Sequence, residues 1–256
     1  NEYRSTGLAW CDTLVSLQHD ADTHDGRKGV AGWWDTGYSE LYIADTGTAV
    51  TCLALCYDID PQPRYMRSML KFAEFVVNGT RTTPRCTFKK QGCDYDPAGN
   101  DTETKATWLV GDGSLGDGYY KGRLNLPSYT IATATTGGAF FAEMYALTRG
   151  ERADFADMAR DASAWLIRHV QQNGTIPYYI YPPTTVPHEY QCISYSAEAI
   201  IDADLRGLLN HTDVLKPAKR IIGYLLEQQQ PSGELLNPAV ASLGEQQRLS
   251  MARLFY

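Results

Sequence analysis

The stretch YTIATATTGGAFFAEMYAL, Tyr129 to Leu147, is small or apolar on nearly every side. Glu143 is its only charged residue. A helix without a polar face must pack against neighbours on several sides, and Ala, Gly and Thr let those neighbours approach closely. We therefore predict a helix in the interior of a helical protein, in which the Glu143 carboxylate requires an explanation because unpartnered buried carboxylates are costly.

Three further stretches have the same small and apolar character, and each of the four follows a long loop rich in aromatic residues, glycine or proline. The further stretches are Ala44–Tyr57, Cys192–Leu209 and Ala239–Phe255. The loops are residues 26–42, 111–128, 173–191 and 231–238. We predict four inner helices, each entered from its own loop.

A second kind of helix alternates with the first and is apolar along one side only. Pro217 is expected near the first helical position of the last of these helices. Outer helix, loop and inner helix thus repeat along the chain, and strand-like stretches are short and confined to loops. This order predicts an all-α fold, an incomplete α/α barrel (toroid) of about eight helices, as one domain over residues 1–256. The outer helices are Pro63–Val77, Arg152–Val170 and Leu215–Gln229, and Thr6–Leu17 is included in the count of about eight.

The segment GWWDTGYSELYIADTGTAVTCLALCY, Gly32 to Tyr57, together with the repeated loop and inner-helix units, resembles the α/α-toroid enzymes that act on glycans. These include polysaccharide lyases, unsaturated-uronide hydrolases, toroidal mannanases and the helical domain of glucuronyl epimerases. The likeness implies a carbohydrate-active enzyme with a polysaccharide or oligosaccharide substrate. The adjacent Asp-Asp pair of a toroidal mannanase is absent. About eight helices are fewer than in a full toroid, which leaves open a fragment, or a homo-oligomer in which a second copy completes the barrel.

Charge and motifs exclude several classes of protein. The net charge is −7 without a basic block, so nucleic acid and anionic membrane surfaces are not expected as partners. No apolar run approaches the roughly 18 residues of a membrane span. The sequence has no phosphate-binding glycine loop, nucleophile elbow or metal-ligand triad, so we expect neither a cofactor nor a metal.

Sequons and cysteines indicate a secreted, extracellular glycoprotein. Four of the seven asparagines stand in Asn-x-Thr sequons, and the chain opens at Asn1, as a processed mature protein would. Cys86 and Cys93 bracket the short segment TFKKQG, which predicts a disulfide-closed hairpin. The pairing of Cys11, Cys52, Cys56 and Cys192 stays open. The sequons begin at Asn78, Asn100, Asn173 and Asn210.

Loops that enter inner helices line one mouth of an α/α barrel, so their side chains converge there. Aromatic rings in these loops suit the apolar faces of sugars, although large aromatics also cap barrel cores. Lys121 and Arg123 could meet a substrate carboxylate. The predicted platforms are Trp33, Trp34, Tyr38, Tyr119, Tyr120, Tyr178, Tyr179 and Tyr181.

Two mechanisms compete at this mouth. Elimination from a uronic acid needs a base and a proton donor, and the stretch VPHEYQCISYSAEA supplies His188, Glu189, Tyr190 and Tyr195. The alternatives are an ordinary helix-entrance histidine for His188 and an inter-helix packing residue for Tyr195. The concentration of Tyr and His slightly favours elimination.

Hydrolysis instead needs paired carboxylates, one acid and one base or nucleophile. Asp45 could equally cap a helix, and Asp112 and Asp117 are better explained by turns. A glycan-binding protein without catalysis is the third hypothesis, since aromatic loops would serve binding alone. The available carboxylates are Asp35, Asp45, Asp112, Asp117, Glu189 and Glu198.

Overall fold

Helices dominate the computed structural model of the chain, which describes residues 2–18, 40–80, 93–94, 112–116, 118–120, 123–125, 129–178 and 190–233. None of the helices in these ranges is long and apolar enough to cross a membrane. The helices are α1 Glu2–Leu17, α2 Ile43–Ile59, α3 Pro63–Thr80, α4 Thr130–Ala132, a π-helix Thr133–Phe140, α5 Phe141–Leu147, α6 Ala153–His169, α7 Tyr190–Leu205 and α8 His211–Gln228.

Inner and outer helices alternate as the sequence predicts. Helix α4, the π-helix and α5 run on without a break, and we call Thr130–Leu147 the central segment. The central segment packs against α2 and α7, while α6 covers it from outside. Helices α1 and α3 pack on α2, and α8 packs on α7. The α/α-barrel class is therefore confirmed, whereas the predicted inner helix Ala239–Phe255 lies outside the described residues.

Glycines let the central segment come close to its neighbours. A methyl group at Gly137 would lie 2.7 Å from Ala162 Cβ, and one at Gly138 would lie 2.5 Å from Ala199 Cβ. Both distances are shorter than a carbon contact allows, so α6 and α7 touch the backbone of the segment directly. Close approach, rather than backbone freedom, explains why glycine stands at these two positions.

The outer helix α8 begins four residues before the expected start. Asn210 caps it, because its Oδ1 accepts a hydrogen bond from the Thr212 backbone N–H at 3.2 Å. The expectation that Pro217 lies near the first helical position is therefore wrong, and Pro217 lies buried inside the helix. Helix α7 likewise begins at Tyr190 rather than Cys192.

Within the part of the chain that the structure describes, four short antiparallel strands lie in the loops, where the sequence confines strand-like stretches. Their order is β1-β3-β4-β2. Cys93 belongs to β2, which pairs with β4, and Cys86 lies outside the described residues, so the Cys86–Cys93 disulfide stays a prediction. The strands are β1 Glu40–Tyr42, β2 Cys93–Asp94, β3 Gly118–Tyr120 and β4 Arg123–Asn125.

A disulfide between Cys11 and Cys56 joins α1 to α2. The same helix α1 is held to α3 by the Asp12 carboxylate, which accepts hydrogen bonds from Arg64 Nε at 2.7 Å and from the Tyr65 hydroxyl at 2.8 Å. These bonds lower the pKa of Asp12. Covalent and polar links together fix the position of α1 against the inner layer.

Candidate functional site

The first and second long loops meet at the entrances of two inner helices. Strand β1 leads directly into α2 and pairs with β3 of the second loop. The register places Glu40 opposite Tyr120, and Tyr120 opposite Arg123. Asp94 of β2 stands opposite Arg123 at the end of this row. The neighbouring row runs Leu41, Tyr119, Leu124 and Cys93, so charged and apolar positions are separated by register.

The third loop is fastened to the start of the central segment. The Thr130 backbone N–H donates to the Tyr178 carbonyl at 3.1 Å, and the Thr130 hydroxyl donates to the Pro177 carbonyl. The hydroxyls of Tyr129 and Tyr178 lie 2.8 Å apart, and their rings meet edge to face. Three loops thus converge around the entrances of α2 and α4. Tyr178 is half-buried there, and an aromatic ring at a loop entrance is suited to stacking on a sugar.

Hydroxyl groups fill the interface between α2 and the central segment. The hydroxyls of Thr135 and Thr136 donate to the carbonyls of Ala44 and Ile43, at 3.2 and 2.6 Å. These side chains are satisfied by backbone, so they hold helices together rather than present donors to a ligand. Within the described part of the chain, Thr46 Oγ1 is the buried side-chain oxygen that lacks a hydrogen-bond partner.

Asp45 lies in the first turn of α2, close to where the first loop enters that helix. Because α2 begins at Ile43, Asp45 is the third residue of the helix and not its cap. Its side chain is exposed in the first turn, where unpaired backbone N–H groups and the helix dipole stabilise a negative charge. Glu198 lies half-buried further along α7. No arrangement of three or more metal-ligating side chains occurs among the described residues.

The Asp112 carboxylate stabilises a turn and joins the second loop to α6. Its Oδ1 accepts hydrogen bonds from the backbone N–H and the hydroxyl of Ser114, at 2.9 and 2.6 Å. Its Oδ2 accepts from Trp165 Nε1 at 3.1 Å, and Trp165 is fully buried on α6. The turn explanation of Asp112 therefore agrees with the geometry, and the carboxylate also anchors the loop to the outer layer.

Glu143 lies far along the central segment from the loop entrances, in α5. It forms an ion pair with Arg206, which follows the last residue of α7. Burial raises the pKa of the Glu143 carboxyl, while Arg206 opposes that rise and Asp58 and Asp202 add to it. The pair ties together the ends of two inner helices and accounts for a carboxylate in an apolar segment.

The structure describes two of the four residues predicted for elimination, Tyr190 and Tyr195. Tyr190 is the first residue of α7, and Tyr195 lies in the second turn with 8% of its surface exposed, which agrees with a packing role. Tyr119, Tyr120 and Arg123 lie in the strands described above, Asn173 is exposed in a turn, and Asn210 is the exposed cap of α8. Asn78 lies in α3, and its side chain lies outside what the structure describes. Other predicted site residues lie outside the described residues: His188, Glu189, Asp35, Trp33, Trp34, Tyr38, Lys121, Tyr179, Tyr181, Asp117 and Asn100.

The sequence did not predict the hydrogen bonds between Thr130 and the third loop, nor the buried Thr46 hydroxyl that lacks a hydrogen-bond partner. A signal was available for both, because threonines recur through the central segment and α2 at positions that an apolar helix must bury. Buried threonines bond either to backbone or to a ligand, but the sequence does not say which.

No protein-family model matches this chain, and no curated protein sequence is significantly similar to it. Among solved structures, the chain is similar to a possible member of the GH105 family from Salmonella enterica, with a TM-score of 0.60 and 15% identity over 92% of the chain. It is also similar to the unsaturated glucuronyl hydrolase of Bacillus sp. GL1, described as responsible for the degradation of glycosaminoglycan, with a TM-score of 0.57 and 14% identity over 89% of the chain.

A glycosyl hydrolase family 88 structure from Bacteroides vulgatus gives a TM-score of 0.54 at 12% identity over 92% of the chain. The chain covers 58%, 57% and 64% of these three proteins, so it spans less than two thirds of their length. At such low identity the likeness establishes the fold, and it agrees with the resemblance to α/α-toroid glycan enzymes.

Proposed function

We propose that the chain forms part of a glycoside hydrolase that acts on a glycan containing uronic acid. The observation that carries the proposal is the α/α-barrel fold, which extends over 92% and 89% of the chain in the comparisons with the GH105 and glucuronyl hydrolase structures. Because one fold can host several functions, the mouth must support the same chemistry. Tyr178 of the third loop and Asp45 in the first turn of α2 provide an aromatic ring and a carboxylate near the inner-helix entrances, and the backbone of β4 brings Arg123 into the same sheet as β1.

Hydrolysis replaces the elimination mechanism that the sequence slightly favoured. The similar structures are described as hydrolases or members of hydrolase families. Of the residues expected to carry out elimination, Tyr195 is the one whose side chain is described, and it is almost fully buried between helices. A packed tyrosine has poor access to a polymeric substrate.

The chemistry divides between two carboxyl groups. Asp45 is exposed in the first turn of α2, and a carboxylate there suits a base, a nucleophile or a group that stabilises positive charge on the sugar ring. The proton donor must then be a different carboxyl, and the loop residues Asp35 and Glu189 are the sequence-based candidates. Arg123, whose backbone lies in β4, is the sequence-based candidate to meet the substrate carboxylate.

The test is product analysis in water enriched in heavy oxygen. The chain is incubated with oligosaccharides that end in an unsaturated uronic acid and with the intact polymers. Hydrolysis inserts one labelled oxygen at the cleaved bond, whereas elimination inserts none. The products are reduced with borohydride at once, before the free anomeric carbon exchanges its oxygen with the labelled water. We expect label in the products and a loss of about 100-fold or more in rate for Asp45→Asn, with Asp161→Asn on outer helix α6 as the matched control. Unlabelled unsaturated products, or binding without turnover, would overturn the proposal.

We also propose that the protein is a secreted glycoprotein. The Cys11–Cys56 disulfide suits an oxidising compartment. Asn173 and Asn210, the sequon asparagines whose side chains the structure describes, are exposed, and each uses Oδ1 to accept hydrogen bonds from the threonine of its sequon, at 2.8 and 2.9 Å to the hydroxyls. Glycosylation at Nδ2 would leave those bonds intact.

Substitution by aspartate separates the glycan from the hydrogen bonds. Asn173→Asp and Asn210→Asp keep the Oδ1 acceptor and remove the attachment atom. After secretion from a eukaryotic host, each variant is expected to lose one glycan and to unfold at the same temperature as the deglycosylated parent. An unmodified parent protein would refute glycosylation at both positions.

A further inference from the structure

Tyr129 stands immediately before the central segment, and hydrogen bonds fix its backbone on both sides. Its N–H donates to the Leu115 carbonyl of the second loop at 2.9 Å. Its own carbonyl accepts a hydrogen bond from the Thr133 hydroxyl at 2.8 Å, and the Thr133 oxygen in turn accepts one from the Leu115 N–H at 2.9 Å. Tyr129 is 6% exposed. Its side chain is therefore positioned by the helical framework together with the second loop.

Tyr178, in the third loop, is held at both ends of the residue. Its carbonyl accepts a hydrogen bond from the Thr130 N–H at 3.1 Å, and its hydroxyl lies 2.8 Å from the hydroxyl of Tyr129. The two rings meet edge to face, with their centroids 4.9 Å apart. Because the hydroxyl is the far end of the side chain, a hydrogen bond there restricts rotation about both side-chain torsions. The orientation of the Tyr178 ring thus depends on Tyr129.

The Tyr178 ring belongs to the same end of the barrel as Asp45. Tyr178 is bonded to Thr130, the first residue of the central segment. The Thr136 hydroxyl, further along that segment, donates to the carbonyl of Ile43, the first residue of α2, at 2.6 Å. The starts of the two inner helices are therefore neighbours. Tyr178 is half-buried, so part of the residue is accessible to a ligand at this end.

We propose that Tyr129 is a positioning residue for glycan binding, which acts by holding the Tyr178 ring as a fixed platform for a sugar. The inference rests on the proposed function. A ring that is already oriented loses less conformational freedom when the sugar binds, so the hydrogen bond between the two hydroxyls strengthens binding without touching the reacting atoms. Such a contribution is the same in the ground state and the transition state, and it therefore affects KM rather than kcat.

The experiment compares the full chain with Tyr129→Phe, Tyr178→Phe and the double variant, using an unsaturated uronyl oligosaccharide as substrate. Tyr129→Phe keeps the ring and removes the hydroxyl, so KM is expected to rise about 3- to 10-fold with kcat unchanged. The double variant is expected to have the KM of Tyr178→Phe alone, because the first substitution already breaks the bond between the hydroxyls. An unchanged KM in Tyr129→Phe, or two effects that simply multiply, would overturn the inference.

Tyr65→Phe is the matched control for the loss of a buried tyrosine hydroxyl. Tyr65 on α3 is fully buried, and its hydroxyl donates to Asp12 over the same distance of 2.8 Å. Thermal unfolding of the variants shows how far each substitution destabilises the fold. Tyr65→Phe is expected to leave KM unchanged. A rise in KM equal to that of Tyr129→Phe would show that loss of stability, rather than the orientation of Tyr178, weakens binding.

The affinity for the oligosaccharide separates this inference from the proposed hydrolysis. If the parent protein binds the oligosaccharide without cleaving it, hydrolysis is refuted, and dissociation constants from titration calorimetry take the place of KM. Tyr129→Phe is then expected to weaken binding by the same factor of about 3 to 10. Hydrolysis by the parent with an unchanged KM in Tyr129→Phe would refute the positioning role alone. A parent protein that neither binds nor cleaves a uronic acid glycan would refute both.

Discussion

The central segment and outer helix α8 are both helical, but their surroundings differ. All residues from Thr130 to Ala142 are buried, with neighbours on three sides. In α8 the buried residues follow one stripe, and Leu226 on the other side is 51% exposed. A substitution that is neutral or stabilising on the exposed side of α8 should therefore lower the free energy of unfolding in the central segment, because packing rather than helix propensity decides its effect.

The largest effect is expected for Phe140→Ala. Phe140 is fully buried, and its ring lies 5.5 Å from Phe72 and 5.2 Å from Phe141, centroid to centroid. Truncation should lower the free energy of unfolding by about 3–5 kcal/mol. Leu226→Ala in α8 should change it by no more than about 0.5 kcal/mol. Urea unfolding of both variants measures the contrast, and comparable losses would show that the two layers pack alike.

Two glycine-to-alanine substitutions test whether the same added methyl group destabilises the central segment and stabilises α8. Gly138→Ala places a methyl group 2.5 Å from Ala199 Cβ and should destabilise the protein by about 1–3 kcal/mol. Gly223→Ala in α8 meets nothing within 4 Å and should stabilise it by about 0.4–1 kcal/mol. Thermal unfolding of the two variants gives the comparison. A stable Gly138→Ala would mean that α7 can move away from the central segment.

Asp112→Ala tests whether the Asp112 carboxylate stabilises the fold or takes part in catalysis. It leaves Trp165 Nε1 buried without an acceptor, so we expect a loss of about 1–2 kcal/mol in unfolding free energy. The rate of glycan hydrolysis at a temperature where the variant is folded should not change. Asp161→Ala, an exposed carboxylate on α6, is the matched control. Loss of hydrolysis in folded Asp112→Ala would place that loop in the active site.

The smallest effect is the pH dependence of Glu143→Gln. The pKa of Glu143 is raised above its ordinary value of 4.5, chiefly by burial. Its neutral form therefore stabilises the fold fully below pH 4.5, and this contribution is lost as pH rises through the raised folded pKa. As the pH rises from 4.5 through the folded pKa of Glu143, the free energy of unfolding of the parent protein should fall relative to that of Glu143→Gln.

Unfolding midpoints in urea, measured at a series of pH values, test this expectation. Exposed Glu227→Gln on α8 controls for the loss of a charge. A parent protein that gains stability over Glu143→Gln with rising pH would show that the Arg206 ion pair outweighs the cost of burial.

Local patterns predicted the helices well. The central segment, α3 and α6 begin within one residue of their predicted starts, because a buried or amphipathic pattern is set by each helix's own residues. The start of α8 was misjudged because Pro217 is a strong local signal, whereas the structure begins the helix at the Asn210 cap. The wider π-helical turns from Thr133 to Phe140 depend on contacts with three other helices and leave no local signature.

The candidate site was harder to predict because it is assembled from distant parts of the chain. The sequence indicated that the loops would converge, but the register between β1 and β3 and the bonds from Thr130 to the third loop are long-range. The cysteine pairing has the same origin, since Cys52 and Cys56 are equivalent in sequence and only the placement of α1 distinguishes them.

The central claim is hydrolysis rather than elimination, and ultraviolet absorbance tests it most directly. An unsaturated uronic acid absorbs because its double bond is conjugated with the carboxylate. When hydrolysis releases that sugar, the ring opens to a keto acid and the conjugation is lost. With unsaturated uronyl oligosaccharides as substrate, we predict a fall in absorbance that Asp45→Asn abolishes. A rise in absorbance with an intact uronic acid polymer would contradict the account, because it would show that the enzyme forms the double bond.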